Sequence, residues 1–283
     1  MTILEYKRYF KKELSTIYTE SESAELFSIF VFKTVGFDRF QQRRFMHQHL
    51  QESHKEDLHH ALTLLKTGKP FQQILGETEF YGMKFFVDEH VLIPRPETEE
   101  LLELAIYQIE QNLPENESIK ILDIGTGSGI IPIVLKKLFH KAELFGLDYS
   151  KEALETAKRN AQLHDVKIEW LYQNYLEWKP NLKYDLIISN PPYIGRDEVD
   201  EIADSVKEFE PKMALFSPTS DPLVFYRKIE NDCTEHLTEN GMVFLEINQK
   251  LGQETLELFK PILSEVKLVK DISGNERFVW GKK

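Results

Sequence analysis

Asn190, Pro191, Pro192 and Tyr193 follow one another directly after an apolar run, in "YDLIISNPPYIG". An amide, two prolines and a phenol ring in that order suit the handling of a planar –NH2 group. The lone pair of such a nitrogen is delocalised, so it is a poor nucleophile and must be held at a fixed angle to its electrophile. Asn190 can accept one of its N–H bonds through the side-chain oxygen, and the Pro191 carbonyl can accept the other. Two successive prolines restrict φ and keep that carbonyl in place. Tyr193 can stack on the flat group and exclude water. Orientation alone can lower a barrier by roughly 7–11 kcal/mol at best. Turns rich in Pro and Asn are common without any such role, so the motif needs a companion site before it means anything.

The companion is "LDIGTGSGI", Leu122 to Ile130. It lies between a short apolar run and a helical stretch, the position at which open α/β sheets bind ligands. Gly125, Gly127 and Gly129 allow sharp turns and close approach of a ligand to the backbone. The dinucleotide fingerprint G-x-G-x-x-G/A fails here at Ile130, and the Lys-Ser/Thr of a phosphate-binding P-loop is missing. A G-x-G-x-G loop after a strand that carries Asp suits S-adenosylmethionine instead, a ligand with a cationic sulfonium and no pyrophosphate. Asp123 is placed to hold its ammonium group. Asp148 ends the next apolar run and can accept both ribose hydroxyls.

The elements that must position these residues are legible from periodicity. Residues 1 to about 68 read as successive helices, with capping-box patterns at "TILE" and at "SHKE", Ser53 to Glu56. Gly68 and Pro70 stop the last of them. "TEFYGMKFFVDEHVLIP" is aromatic and β-branched around Gly82 and reads as a hairpin. "PRPET" is a stiff connector, and "TEELLELAIYQIEQNL" returns to helical period. From Ile119 apolar runs alternate with amphipathic stretches, as in "IKILDIG", "IIPIVLKKLF", "AELFGLDYS" and "KEALETAKRNAQLH". That alternation implies a parallel sheet covered by helices on both faces. "VKLVKDI" and "RFVWGKK" flank a turn and read as an antiparallel pair.

Bulk properties narrow the classes. The chain has 283 residues and a formal net charge of −12. Residues 1–80 are neutral, with 11 basic and 11 acidic side chains, so the remainder carries the acidic excess. An acidic surface disfavours broad binding to nucleic acid, which runs on phosphate neutralisation. No apolar run approaches a membrane span. The N-terminus lacks the pattern of a secretion signal, and Cys233 is the single cysteine. These features together predict a cytoplasmic protein without disulfides or membrane association. His47, His49, His54, His59 and His60 cluster in the helical segment, but their spacing matches no metal motif, and a solvated face is expected with no metal bound.

Taken together, these motifs resemble the glutamine N5-methyltransferases that modify peptide-chain release factors. "PFQQILGETEFYG", "VLIPRPETEEL", "LDIGTGSGI", "NPPYI", "FEPKMAL", "FLEINQ" and "DISGNERFV" fall in that family's order, from about Pro70 to the end. The resemblance implies an α/β fold of the class I methyltransferase type, a Rossmann-like seven-stranded, mostly parallel sheet. It would carry a small N-terminal helical domain and a linking β-hairpin. The expected division is 1–72 for a helical substrate-binding domain, 73–96 for the hairpin linker and 97–283 for the methyltransferase domain. The implied cofactor is S-adenosylmethionine and the implied partner is a release factor, modified on the glutamine of its Gly-Gly-Gln loop. Carried over by motif, Asp123, Gly125, Thr126, Gly127, Ser128, Gly129, Asp148, Asn174, Tyr175 and Asn190 would line the cofactor. Asn190, Pro191, Pro192 and Tyr193 would form the glutamine pocket, with Asn190, Pro191 and Tyr193 acting in the chemistry.

Three places depart from the family pattern. Asn174 and Tyr175 stand where Asp and a Trp or Phe are usual, and Gln73 replaces a frequent Tyr. "SPTSDPLVFYR" lacks a glycine-rich lead. Glu210 and Arg95 are expected to pair and so to fix two domains relative to each other. Other readings use the same motif: an N6-adenine methyltransferase of DNA or RNA, whose acceptor is also a planar –NH2, and a glutamine methyltransferase of a ribosomal protein. A non-catalytic module that keeps the cofactor fold would have no need of Asn190.

Overall fold

A computed structural model describes residues 1–113 and 118–283, which divide into two compact units. The first comprises residues 1–77 together with 203–209, and the second comprises 78–202 and 210–283.

The first unit is built from α1 (Ile3–Leu14), α2 (Glu20–Val35), α3 (Arg39–Arg44), α4 (Glu52–Lys66) and α5 (Phe71–Leu75). Thr2 and Glu5 cap α1 reciprocally, as "TILE" predicts. Thr19 with Glu22 and Asp38 with Gln41 do the same for α2 and α3. The pattern at "SHKE" does not act as a cap. Helix α4 already begins at Glu52, so Ser53 lies inside its first turn, and Gln51 occupies the N-cap without a side-chain bond. Helical spacing brings Tyr6, Phe10, Phe27, Phe30, Leu58 and Leu62 into one core. Gln73, the departure from the family's Tyr, is buried, and its Nε2 donates to the Phe209 carbonyl at 2.9 Å. That bond is one tie between segment 203–209 and the helices.

A hairpin of β1 (Glu77–Phe80) and β2 (Met83–Phe86) follows, in the second unit from Thr78 onward. Tyr81 and Gly82 both take positive φ at its two-residue turn, as such turns require. Then come α6 (Pro96–Asn112), β3 (Lys120–Ile124), α7 (Ile130–Leu138), β4 (Glu143–Asp148), α8 (Lys151–Leu163), β5 (Glu169–Tyr172) and β6 (Tyr184–Ser189). The remaining elements are α9 (Asp204–Phe209, part of the first unit), α10 (Lys212–Leu215), α11 (Val224–His236), β7 (Leu237–Glu246), α12 (Gly252–Phe259), β8 (Glu265–Lys270) and β9 (Glu276–Lys282).

The sheet has seven strands in the order β5-β4-β3-β6-β7-β9-β8. All pairs are parallel except those made by β9, which runs antiparallel to both β7 and β8. The sequence pairs the last two strands correctly, but the final strand inserts between β7 and its own hairpin partner. Both faces are covered, so alternate residues of each strand enter different cores. Ile121, Leu186, Ile188 and Phe244 pack with α6 and α7 on one face. Leu122, Ile124, Ile187 and Val243 pack with Tyr226, Ile229 and Cys233 of α11 on the other. Cys233 is fully buried there, and burial pushes its thiol well above the usual range, so it is chemically quiet.

Candidate functional site

Two segments at the carboxyl ends of neighbouring strands build the site. The loop after β3 holds the three glycines, and the loop after β6 holds Asn190 to Tyr193. Strands β3 and β6 are hydrogen-bonded partners, with Ile124 beside Ser189, so the two loops leave the sheet side by side. The Ser189 hydroxyl donates to the Ile124 carbonyl at 2.7 Å and locks the two strand ends together. A Cβ on Gly125 would sit 3.8 Å from the Asn190 carbonyl oxygen, which measures how closely the backbones approach.

Gly125, Gly127 and Gly129 have φ of +74°, +55° and +79°, the left-handed region that favours glycine. The loop is tied down on several sides. The amides of Gly125 and Thr126 both donate to the Leu147 carbonyl at 2.9 Å. Asn160 of α8 is fully buried, and its Nδ2 donates to the carbonyls of Ser128 and Phe86, joining the loop to the hairpin. Trp170 of β5 lies under the loop: a Cβ added at Gly129 would come within 2.9 Å of its ring and 3.0 Å of Ala157. Gly129→Ala therefore combines positive-φ strain of about 1–2 kcal/mol with overpacking of about 1–3 kcal/mol. Thermal unfolding should show a Tm lower by roughly 4–20 °C, and an unchanged Tm would mean the loop is not packed as described.

Asp148 anchors the same loop. One carboxylate oxygen accepts the Gly127 amide at 2.9 Å and the other accepts the Ser150 amide at 2.8 Å. Its side chain is partly exposed, and each oxygen keeps lone-pair capacity for a ligand hydroxyl. Burial raises its pKa, while the amides of Ser150, Gly127 and Tyr149 offset part of the rise. Asp123 is more extreme. It is completely buried, and neither of its oxygens, nor the Thr126 hydroxyl, makes a well-formed hydrogen bond among the described residues. Burial pushes its carboxyl up to about 7, which the nearby Thr126 only partly offsets. Unsatisfied buried acceptors under a glycine loop suit a ligand that brings positive charge.

Asn174 lies near the same edge: the Gln173 amide donates to the Asp148 carbonyl at 3.0 Å, and Asn174 Oδ1 accepts the Leu176 amide at 3.3 Å. Tyr175 turns the other way. Its ring is buried against Phe225, and its hydroxyl donates to Asp232 of α11 at 2.7 Å. The structure thus brings Asn174 toward Asp148 and commits the Tyr175 side chain to the core.

Pro191 is buried, and Pro192 and Tyr193 are partly so. Beyond them, the Ile194 amide donates to the Leu215 carbonyl and the Ser217 amide to the Ile194 carbonyl, fixing the downstream end. Asn190 Nδ2 donates to Thr98 Oγ1 at 3.2 Å, and Thr98 Oγ1 donates to Glu246 Oε2 at 2.8 Å. The Tyr193 hydroxyl donates to Glu246 Oε1 at 3.3 Å. Burial and the Glu246 carboxylate both raise the Tyr193 phenol, keeping it a neutral donor.

Thr98 and Glu246 were not among the residues expected from the sequence, although both lie in quoted motifs, "PRPET" and "FLEINQ". Glu210 does pair with Arg95, at 2.5 Å, and its other oxygen accepts the Ile93 amide at 3.0 Å. The pair lies within the second compact unit, so it does not join two domains. It fixes the entry to α6 and thereby Thr98 in the first turn of that helix. No group of three potential ligands for a metal occurs among the described residues, and no described helix is long and apolar enough to cross a membrane.

The "Methyltransferase small domain" family matches residues 107–209. A protein of Flavobacterium psychrophilum named release factor glutamine methyltransferase is 42% identical over 289 residues, covering 99% of this chain and 98% of its own. An Enterococcus faecalis protein of the same name is 36% identical, covering 96% of this chain and 98% of its own. Among solved structures, the T. thermophilus 16S rRNA methyltransferase RsmC, in complex with AdoMet and guanosine, shares the fold. It has a TM-score of 0.51 at 18% identity, covering 73% of this chain and 49% of that one. With a glycine loop and an Asn-Pro-Pro-Tyr segment on adjacent strand ends, and such identity over nearly its full length, the chain belongs to the release factor glutamine methyltransferase family.

Proposed function

We propose that this protein methylates the side-chain amide nitrogen of the glutamine in the Gly-Gly-Gln loop of peptide-chain release factors, with S-adenosylmethionine as methyl donor. The observation that carries this reading is the approach of the Gly125 backbone to the Asn190 carbonyl, which supports a cofactor loop working beside an amide-binding segment. Gly125, Thr126, Gly127, Ser128 and Gly129 form the wall for the amino-acid end of the cofactor. Asp148 would hold the ribose hydroxyls and Asn174 the base. When bound, S-adenosylmethionine supplies an electrophilic methyl group on its sulfonium.

The chain's own residues do the rest by placement. Asn190 Oδ1 accepts one N–H of the substrate amide and the Pro191 carbonyl accepts the other, so the nitrogen faces the methyl donor. Pro192 stiffens that carbonyl, and Tyr193 covers the flat group. No base need act first, because the nitrogen becomes acidic only as its new bond forms, and its proton then leaves to solvent. The helical unit is the docking module for the release factor in this reading.

Asp123 gives a pH signature. Its carboxyl titrates at about 7 without ligand, and a bound ammonium or sulfonium nearby favours the charged form. Binding below pH 7 must therefore release a proton, and affinity should fall by up to about tenfold per pH unit below 7. Above 7 this dependence vanishes. Calorimetry at pH 6 in two buffers of different ionisation heat should show net proton release, reduced in Asp123→Asn. Zero release in the parent would remove Asp123 from the cofactor site.

The function is tested with purified protein, methyl-labelled cofactor and release factors carrying Gln or Ala in the loop. Label on the Gln form alone is expected. Transfer instead to DNA, RNA or a ribosomal protein would replace this reading with one of its rivals.

A further inference from the structure

A primary amide has an acceptor end and a donor end of nearly equal shape, and a half-turn of the side chain exchanges them. Asn190 serves the proposed reaction in one orientation only, with Oδ1 toward the substrate. The contacts around Thr98 decide which orientation forms. A threonine hydroxyl has one proton, and Thr98 gives it to Glu246 Oε2 at 2.8 Å. What remains on Thr98 Oγ1 is acceptor capacity, so only the –NH2 end of Asn190 can bond to it, as Nδ2 does at 3.2 Å.

Resting on the methyl-transfer reading above, we infer that Thr98 and Glu246 are positioning residues. They fix the polarity of the Asn190 amide so that the site accepts a carboxamide, which donates N–H, and disfavours a carboxylate, which can only accept.

The relay is held from several sides. Thr98 and Glu246 are 3% and 2% exposed, so water does not compete for the bonds. The Tyr193 hydroxyl donates to the second Glu246 oxygen, and the Tyr226 hydroxyl donates to the Glu246 backbone carbonyl at 3.2 Å. Burial, with Glu97 adding to it, pushes the Glu246 carboxyl up to about 7, while the Thr98 hydroxyl, Arg277 of β9 and the Tyr193 hydroxyl offset part of the rise. The relay therefore runs in this direction above pH 7, where Glu246 is a carboxylate and can only accept. Asp271 in turn engages Arg277 at 3.1 Å. The relay also gives the "PRPET" and "FLEINQ" motifs a chemical task, because each supplies one member.

A hydroxyl that merely satisfied a buried carboxylate would show the same two bonds, so the test must read amide polarity. Thr98→Val and Thr98→Ser are compared with the parent as full-length protein. Four quantities are measured: kcat, cofactor Kd, KM for a release factor, and inhibition by that factor with Glu replacing the loop Gln. Thr98→Val removes the hydroxyl at similar volume. Its kcat should fall by roughly 10–100-fold with cofactor Kd within about twofold, because only alignment is lost. The Glu form should gain at least about fivefold as an inhibitor relative to KM of the Gln form, since a freed Asn190 can turn its –NH2 outward. Thr98→Ser keeps the hydroxyl and should stay within about threefold of the parent in every reading.

A valine variant that keeps parent-like kcat or an unchanged preference for Gln over Glu overturns the inference. So does a serine variant as impaired as the valine one. If the valine variant does not fold, Thr98→Ala adds no bulk and decides by the same readings. A parent that leaves the Gln form unmethylated overturns the proposed function and the inference together. A parent that methylates it, with a parent-like valine variant, overturns the inference alone.

Discussion

Asn190→Ala should bind S-adenosylmethionine nearly as well as the parent and lose most of its turnover. In the proposed reaction Asn190 makes one of two hydrogen bonds that aim the substrate nitrogen. Loss of one well-placed acceptor costs on the order of 1–3 kcal/mol. Misplacement of the reacting atoms by about 1 Å can cost a further 10²-fold. A fall in kcat of roughly 10²–10³-fold is therefore expected, with cofactor Kd changed by less than about threefold. The contrast follows from geometry, since the loop amides are held by Leu147 and Asp148 rather than by the Asn190 side chain. Single-turnover rates and equilibrium cofactor binding measure the two effects separately. Parent-like turnover would leave the motif as a turn and remove the reason for its prolines.

Asp148→Ala should do the reverse, weakening the cofactor far more than the chemical step. In this reading its carboxylate accepts two ribose hydroxyls, and bonds to a charged acceptor are worth about 1.5–3 kcal/mol each. The substitution also frees the amides of Gly127 and Ser150, which loosens the loop itself. Kd should rise by at least about 10²-fold, while kcat at saturating cofactor stays within about tenfold. Asp148→Asn offers a control, because one amide oxygen can still take the Gly127 amide or a hydroxyl but not all of them. Its Kd should fall between the two. Equal cofactor affinity in parent and alanine variant would end the ribose assignment.

Much of this architecture is local, and local features were legible in the residues. Positive φ at Gly125, Gly127 and Gly129 follows from a turn that favours residues without Cβ. The hairpin at Tyr81 and Gly82, the cap at Thr2 and the stop at Gly68 rest on neighbours within four positions. The strand–helix alternation from Ile119 was enough to place the glycine loop and Asn190 at the same edge of a parallel sheet. The cap misread at Ser53 was local too, but there the upstream turn at Gln51 started the helix first.

Other features depend on which distant segments meet, and periodicity does not encode that. Strand β9 enters between β7 and β8 because an antiparallel strand there pairs with both, a choice invisible in either strand's own pattern. Segment 203–209 joins the helical unit across more than a hundred residues. The resemblance sets Tyr175 in the cofactor lining, yet the position of Asp232 on α11 draws its hydroxyl into the core. Asn190 and Glu246 lie 92 and 148 positions after Thr98 in the chain and are joined to it by the two bonds on the Thr98 hydroxyl. By itself the sequence determined the chemistry available and the strand ends that carry it. The tertiary structure decided which way the key amide faces, because the direction of a hydrogen bond depends on partners that only folding assembles.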